Sequence, residues 1–185
     1  SATYNPEANF EVEAFNRPYR SGIDGDWPVR VYQPLGDGPF PVLIDVHGGA
    51  WPRGNHLNNA LIDEALAASG IIVMALEFRQ SPDHVYPAQV QDVNYGTRWA
   101  KTHAAEFGGD PDNVTIFGES GGGYKVISQM ATPAASDLFD KAIVQSGSAL
   151  VSSDMDRAEA GGKSLQASMG AANLAEMRAA SWQDV

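Results

Sequence analysis

Five residues restrict what this chain can fold into more than any others. Gly118-Glu119-Ser120-Gly121-Gly122 follow directly on a β-patterned run, Asn113-Val-Thr-Ile-Phe, and lead directly into a helix-patterned one, Tyr124 to Met130. A serine between two such elements must occupy a sharp turn. Glycines two before and two after it leave room where side chains would collide, so the turn lifts the hydroxyl clear of the backbone. A helix starting at Gly121 adds unpaired N–H groups and a positive dipole end beside that hydroxyl.

The rest of the chain repeats the strand-to-helix pattern. Phe10 to Phe15 and Val29 to Gln33, separated by Ser21-Gly-Ile-Asp-Gly-Asp, read as an antiparallel opening. Pro41-Val-Leu-Ile-Asp-Val and Gly70-Ile-Ile-Val-Met-Ala-Leu are apolar runs suited to strands covered on both faces. Between them Leu57 to Ser69 has helical spacing, with Leu61, Ala65 and Ala68 on one face and Gly70 as the stop. A second helix is expected from Pro87 to Phe107, one more strand from Lys141 to Ser146, and two helices broken at Gly170 between Asp156 and Trp182. This alternation predicts an α/β fold with a mostly parallel sheet and helices on both faces. No repeat or linker divides it, so residues 1–185 read as one domain.

Composition narrows the class of partner. A formal charge of −11 repels a phosphate backbone, so nucleic acid is excluded as a partner. The absence of cysteine removes a disulfide framework, a thiolate zinc site and a cysteine nucleophile together. No apolar run approaches the roughly 20 residues of a membrane span, and the polar start is no signal peptide. A first residue that is serine fits a processed or tagged start, and the compartment stays open.

A second motif gives the serine its chemistry. His47-Gly48-Gly49-Ala50-Trp51 stands at the end of the strand Pro41 to Val46, where small residues let main-chain N–H groups approach a substrate carbonyl. Acyl transfer needs a nucleophile and donors for the negative charge that develops. Here both fall at the ends of strands in a parallel sheet, the usual place for a site. Ser120 is therefore the expected nucleophile, and the amides of Gly49, Ala50 and Gly121 the expected oxyanion donors. Each such donor is typically worth about 3 kcal/mol of barrier. No cofactor or metal is implied.

At these residues the sequence resembles a known family. Phe107-Gly-Gly-Asp-Pro-Asp-Asn-Val-Thr-Ile-Phe-Gly-Glu-Ser-Gly-Gly and Lys141-Ala-Ile-Val-Gln-Ser-Gly-Ser-Ala are similar to the nucleophile region of type-B carboxylesterases. Glu77-Phe-Arg-Gln-Ser-Pro-Asp-His-Val-Tyr-Pro-Ala-Gln-Val-Gln-Asp-Val and the glycine loop resemble the hormone-sensitive-lipase branch. The resemblance, over roughly residues 28 to 150, implies the α/β-hydrolase fold and hydrolysis of a small carboxylic ester, with Ser120, Gly49, Ala50 and Gly121 in the roles given. Ala50 stands where a third glycine is usual, and Gly121 where alanine is usual.

That fold orders its triad as serine, then acid, then histidine. The four histidines, His47, His56, His84 and His103, all precede Ser120. The resemblance implies further strands carrying the acid and the histidine, so the fold is expected to be incomplete at its C-terminal side. Three explanations stand open: one piece of a longer or cleaved polypeptide, a sequence lacking residues, or a catalytically dead domain. The first is favoured, because Lys141 to Gln145 would otherwise be an exposed apolar edge. A second chain or C-terminal segment is thus an expected partner. The competing functions are an inactive esterase-like binding module, and an amide or arylformamide hydrolase using the same apparatus.

Other residues near the motifs read more plainly. His47 is expected to orient the glycine loop through a hydrogen bond, and His56, His84 and His103 to be ordinary loop, turn and helix-surface residues. Glu119 is expected to pair with a cation such as Arg79, and Tyr124 and Lys125 to pack or face solvent. Trp51 either lines the substrate pocket or simply packs. Asn113-Val-Thr matches a glycosylation sequon, but it opens a strand and is discounted.

Overall fold

The computed structural model describes residues 7–22, 25–147 and 153–181. β1 (Val12–Gly22) and β2 (Gly25–Pro34) pair antiparallel along their lengths, with an irregularity between Pro18 and Arg20. β2 then pairs antiparallel with β4 (Ile72–Leu76) over Val29 to Tyr32 only. β3 (Phe40–Val46) lies parallel between β4 and β5 (Gly109–Glu119), and β6 (Lys141–Gln145) runs parallel to β5 at the edge. The order across the sheet is β1-β2-β4-β3-β5-β6. The expected antiparallel opening and mostly parallel centre are both present.

Alternation along the central strands sorts side chains onto two faces. Val42, Ile44 and Val46 of β3, with Met74 and Leu76 of β4, share a core with Val93 and Ala100 of α2 (Ala88–His103) and Val126 of α3 (Gly121–Met130). Leu43, Val73 and Ala75 point the other way and pack with Ala67 of α1 (Ala60–Ala68). Helices therefore cover both faces. Ile44, Val46, Ile72, Met74 and Ile116 are 0% exposed, so shortening any of them to alanine would cost about 2–5 kcal/mol.

One sequence expectation needs correction here, and one left open is decided. α1 turns Asp63 and Ala67 inward, while Leu61 is 87% exposed. Helical spacing identifies a face but not which face meets the sheet. The segment read as one helix to Phe107 is α-helical to His103 and finishes in a 3₁₀ turn, Ala104–Phe107.

Residues 1–148 and 149–185 form two compact units. In the second, α4 (Met155–Ser168) is capped by Asp154, which accepts from the Arg157 N–H at 2.8 Å. Gly170 lies just beyond that helix with φ +65. α5 (Leu174–Ala179) follows, with Asn173 accepting from the Glu176 N–H at 3.0 Å and Glu176 accepting from the Ala172 N–H at 2.8 Å. Two helices with a break at Gly170 match the sequence reading.

Candidate active site

Ser120 stands between β5 and α3 at φ 52, ψ −120, a conformation that L-residues rarely adopt and that needs surrounding structure to hold it. Its N–H donates to the Gln145 carbonyl at 2.8 Å, which ties the turn to β6. The flanking glycines are required sterically. A methyl at Gly122 would fall 1.9 Å from the Val46 carbonyl oxygen, one at Gly118 2.4 Å from the Gly122 carbonyl carbon, and one at Gly147 2.0 Å from the Ser120 carbonyl oxygen.

The glycine loop reaches the same place from β3. Gly49, Ala50 and Trp51 have φ of 110, 48 and 71, three left-handed residues in succession. A methyl at Gly49 would fall 1.9 Å from the Arg53 carbonyl oxygen, and one at Gly48 3.2 Å from Ser120 Cβ. The turn is closed by the Arg53 N–H donating to the Gly49 carbonyl at 3.1 Å. Two buried or half-buried amides clamp it from outside: Gln89 donates to the Trp51 carbonyl and Gln80 to the Gly54 carbonyl, each at 2.9 Å.

Gly49, Ala50, Pro52, Arg53, Glu119 and Ser120 line one open cleft of about 490 Å³. Gly121 adjoins it, since a methyl built there would stand 3.4 Å from Ala50 N. The structure thus brings all four candidate residues to one locality. Trp51 lies at the surface, half exposed, 6.1 Å from the Tyr124 ring.

The four histidines are engaged elsewhere. His47 is buried, its Nδ1 donates to the Gly48 carbonyl at 2.8 Å, and its ring stacks on Phe78 at 4.1 Å. Its Nε2 faces Glu77 at 3.7 Å, while His56 Nδ1 and Glu77 meet at 2.7 Å. Burial alone would raise the Glu77 carboxyl; the two imidazoles and the His56 N–H hold it at about 2. His84 packs edge-on against Trp27, and His103 stacks on Trp99 and bonds its carbonyl. None of the four hydrogen-bonds Ser120.

One side chain departs from the sequence reading, and a second takes one of the two alternatives it left open. Arg79 does not pair with Glu119; it forks onto Asp92 at 2.8 and 2.9 Å, because Asp92 on α2 is 0% exposed and requires cationic partners, Arg20 being another. Lys125 does not face solvent: it is 3% exposed, its Nζ donates to the Gly121 carbonyl at 3.1 Å, and burial lowers its pKa to about 8. Its i,i+4 spacing from Gly121 was the only signal in the sequence. Between β3 and α1, Asp45 accepts from Asn59 at 3.0 and 3.1 Å, and neither oxygen of the buried Asp63 has a hydrogen-bond partner among the described residues. Burial and then the Asp45 charge raise Asp63 to about 8; burial raises Asp45 to about 6, with Asn59 opposing.

Residues 28–181 match the carboxylesterase family. The chain is 38% identical over 120 residues to para-nitrobenzyl esterase of Bacillus subtilis, a match spanning 58% of this chain and 24% of that protein. It is likewise 38% identical over 116 residues to carboxylesterase NlhH of Mycobacterium tuberculosis, spanning 60% of this chain and 36% of that one. The chain therefore spans about a quarter to a third of these relatives' lengths. Among solved structures, a hyperthermophilic esterase from the archaeon Pyrobaculum calidifontis superposes with a TM-score of 0.62 at 26% identity, covering 72% of this chain and 44% of that one. The architecture is accordingly that of the α/β-hydrolase fold.

Proposed function

Given that the chain belongs to the carboxylesterase family, we propose that it forms the N-terminal, nucleophile-bearing portion of one α/β-hydrolase catalytic domain that hydrolyses a small carboxylic ester. Ser120 Oγ attacks the ester carbonyl, and the amides of Gly49, Ala50 and Gly121 receive the oxyanion. A base takes the hydroxyl proton and returns it to the departing alcohol; water then releases the acid from the acyl-enzyme by the same route. None of the four histidines in this chain hydrogen-bonds Ser120 and all precede it in sequence, so the base and its acidic companion belong to further polypeptide, as a second chain or a C-terminal segment. That polypeptide would also cover β6, whose Ile143 is 44% exposed.

The observation that carries this reading is the serine at φ 52, ψ −120, in one cleft with Gly49 and Ala50. A turn serine with no task gains nothing from such a conformation. The test is labelling of the complete protein with a fluorophosphonate probe, followed by peptide mapping. Label on Ser120, abolished in Ser120→Ala, is expected; an unlabelled wild-type protein sinks the enzyme reading. An intact-mass spectrum with a denaturing gel addresses the missing base. A single active species of 19.7 kDa without a companion would overturn the need for more polypeptide.

A further inference from the structure

The reaction as drawn gives no part to Lys125, although it lies on the first turn after the nucleophile. Lysine is almost never this buried without an ionic partner, yet no ion pair among the described residues includes it. Its Nζ bonds the Gly121 carbonyl and lies 4.9 Å from the Phe78 ring centroid, the ring that also stacks on His47. Cation, ring and imidazole form one packed group at the root of the glycine loop.

Gly121 fixes where that cation stands relative to the cleft. A methyl built on its Cα would lie 3.7 Å from Lys125 Nζ and 3.4 Å from Ala50 N. The ammonium and one of the proposed oxyanion donors thus approach the same point, and glycine keeps that point free of side chain. A space-filling role does not explain the charge. Methionine would fill the same volume without the penalty of burying an ammonium.

We propose that Lys125 is a positioning residue for the oxyanion, its buried ammonium adding a full positive charge to the N-terminal end of α3 and strengthening the hold of the Gly121 and Ala50 amides. In a partly desolvated site a unit charge at this range acts strongly. The inference rests on the acyl-transfer reading above. With its pKa lowered to about 8 by burial, the group is charged at neutral pH and loses its charge above about 8. The titratable and charged groups on the elements packed against α3 are Asp45 on β3 with His47 just after it, Asp110, Asp112 and Glu119 on β5, Lys141 on β6, Asp92, Tyr95, Arg98, Lys101 and His103 on α2, and Tyr124 on α3 itself, with Glu77 after β4 beyond His47. None of them bonds Nζ.

Phenylboronic acid, which forms an anionic tetrahedral adduct with a reactive serine, tests this in the complete protein. Lys125→Met should weaken the adduct about tenfold at pH 7, Lys125→Arg should keep most of the wild-type affinity, and the gap between wild type and Lys125→Met should close as the pH passes about 8. Equal affinity of wild type and Lys125→Met at pH 7, or an arginine variant as weak as methionine, overturns the role of Lys125 and leaves acyl transfer standing. No wild-type adduct, or one unchanged in Ser120→Ala, overturns both. Should Lys125→Met not fold, wild type alone decides: after correction for the ionisation of the boronic acid, its affinity must fall across pH 8, and a flat profile overturns the proposal.

Discussion

The cleft is built from two turns that solve the same steric problem differently. The Ser120 turn concentrates its strain in one residue and clamps it between β5, β6 and α3, with backbone in near contact on every side. The glycine loop spreads its strain over Gly49, Ala50 and Trp51 and is held by two glutamine side chains, the His47 ring on the Gly48 carbonyl and one backbone bond of 3.1 Å. The first turn has almost no freedom to relax. The second is clamped in part by side chains, which can give where backbone cannot, and that suits a loop that must meet a substrate carbonyl rather than hold a nucleophile still.

If this contrast is right, the same glycine-to-alanine change should act differently in the two turns. Gly122→Ala drives a methyl to 1.9 Å from Val46 oxygen and 3.0 Å from His47 oxygen, both backbone. We expect it to cost about 3 kcal/mol or more, or to prevent folding, as read by thermal melting. Gly49→Ala meets an equally close oxygen at φ 110, but in a loop that can shift. It should fold, at a cost of about 1–2 kcal/mol, while fluorophosphonate labelling slows about a hundredfold because the oxyanion donor moves. A Gly122→Ala protein as stable as wild type would break the comparison.

A buried acid on α1 adds a second dependence on pH, this one of stability. Asp63 lies on α1, within electrostatic reach of Asp45, with a folded pKa near 8 against an ordinary value of 3.8. The native state therefore holds a proton that the unfolded chain releases, and stability falls as pH rises from about 4 to about 8. Asp63→Asn should flatten that slope and be the more stable form at pH 8 by about 1–2 kcal/mol in urea titrations; an unchanged slope would show that Asp63 does not hold that proton. The smallest effect should come from Ala50→Gly. Removing a left-handed alanine should stabilise by about 0.5–1 kcal/mol in thermal melts and change labelling less than threefold.

The same contrast explains what could be read from sequence. The Ser120 turn was legible because its rule is local: a glycine pattern between a strand and a helix has few other uses. The sheet was legible because Val, Ile and Leu in short runs repeat between helical segments. The burial of Asp63 was not legible and that of Lys125 was left open between packing and solvent, since pattern reading places charge in solvent and both lie on the inner sides of short helices. For α1 the stripe through Leu61 did not say which side packs, because only the packing against Val73 and Ala75 decides which side meets the sheet. The partner of Arg79 was missed for a related reason: Asp92 looks like any polar helix residue until α2 is docked.

The β1–β2 hairpin is longer than its attachment. Eleven- and ten-residue strands pair with each other, yet only Val29 to Tyr32 join the parallel sheet, aided by the Tyr19 hydroxyl on the Glu77 carbonyl at 2.6 Å and by Arg20 on Asp92. In deuterated water this ribbon should keep two clocks. Amides that bond β4 should exchange only when the sheet opens, whereas those toward Gly22 and Gly25, bonded to each other alone, should exchange early and leave the nucleophile's surroundings undisturbed.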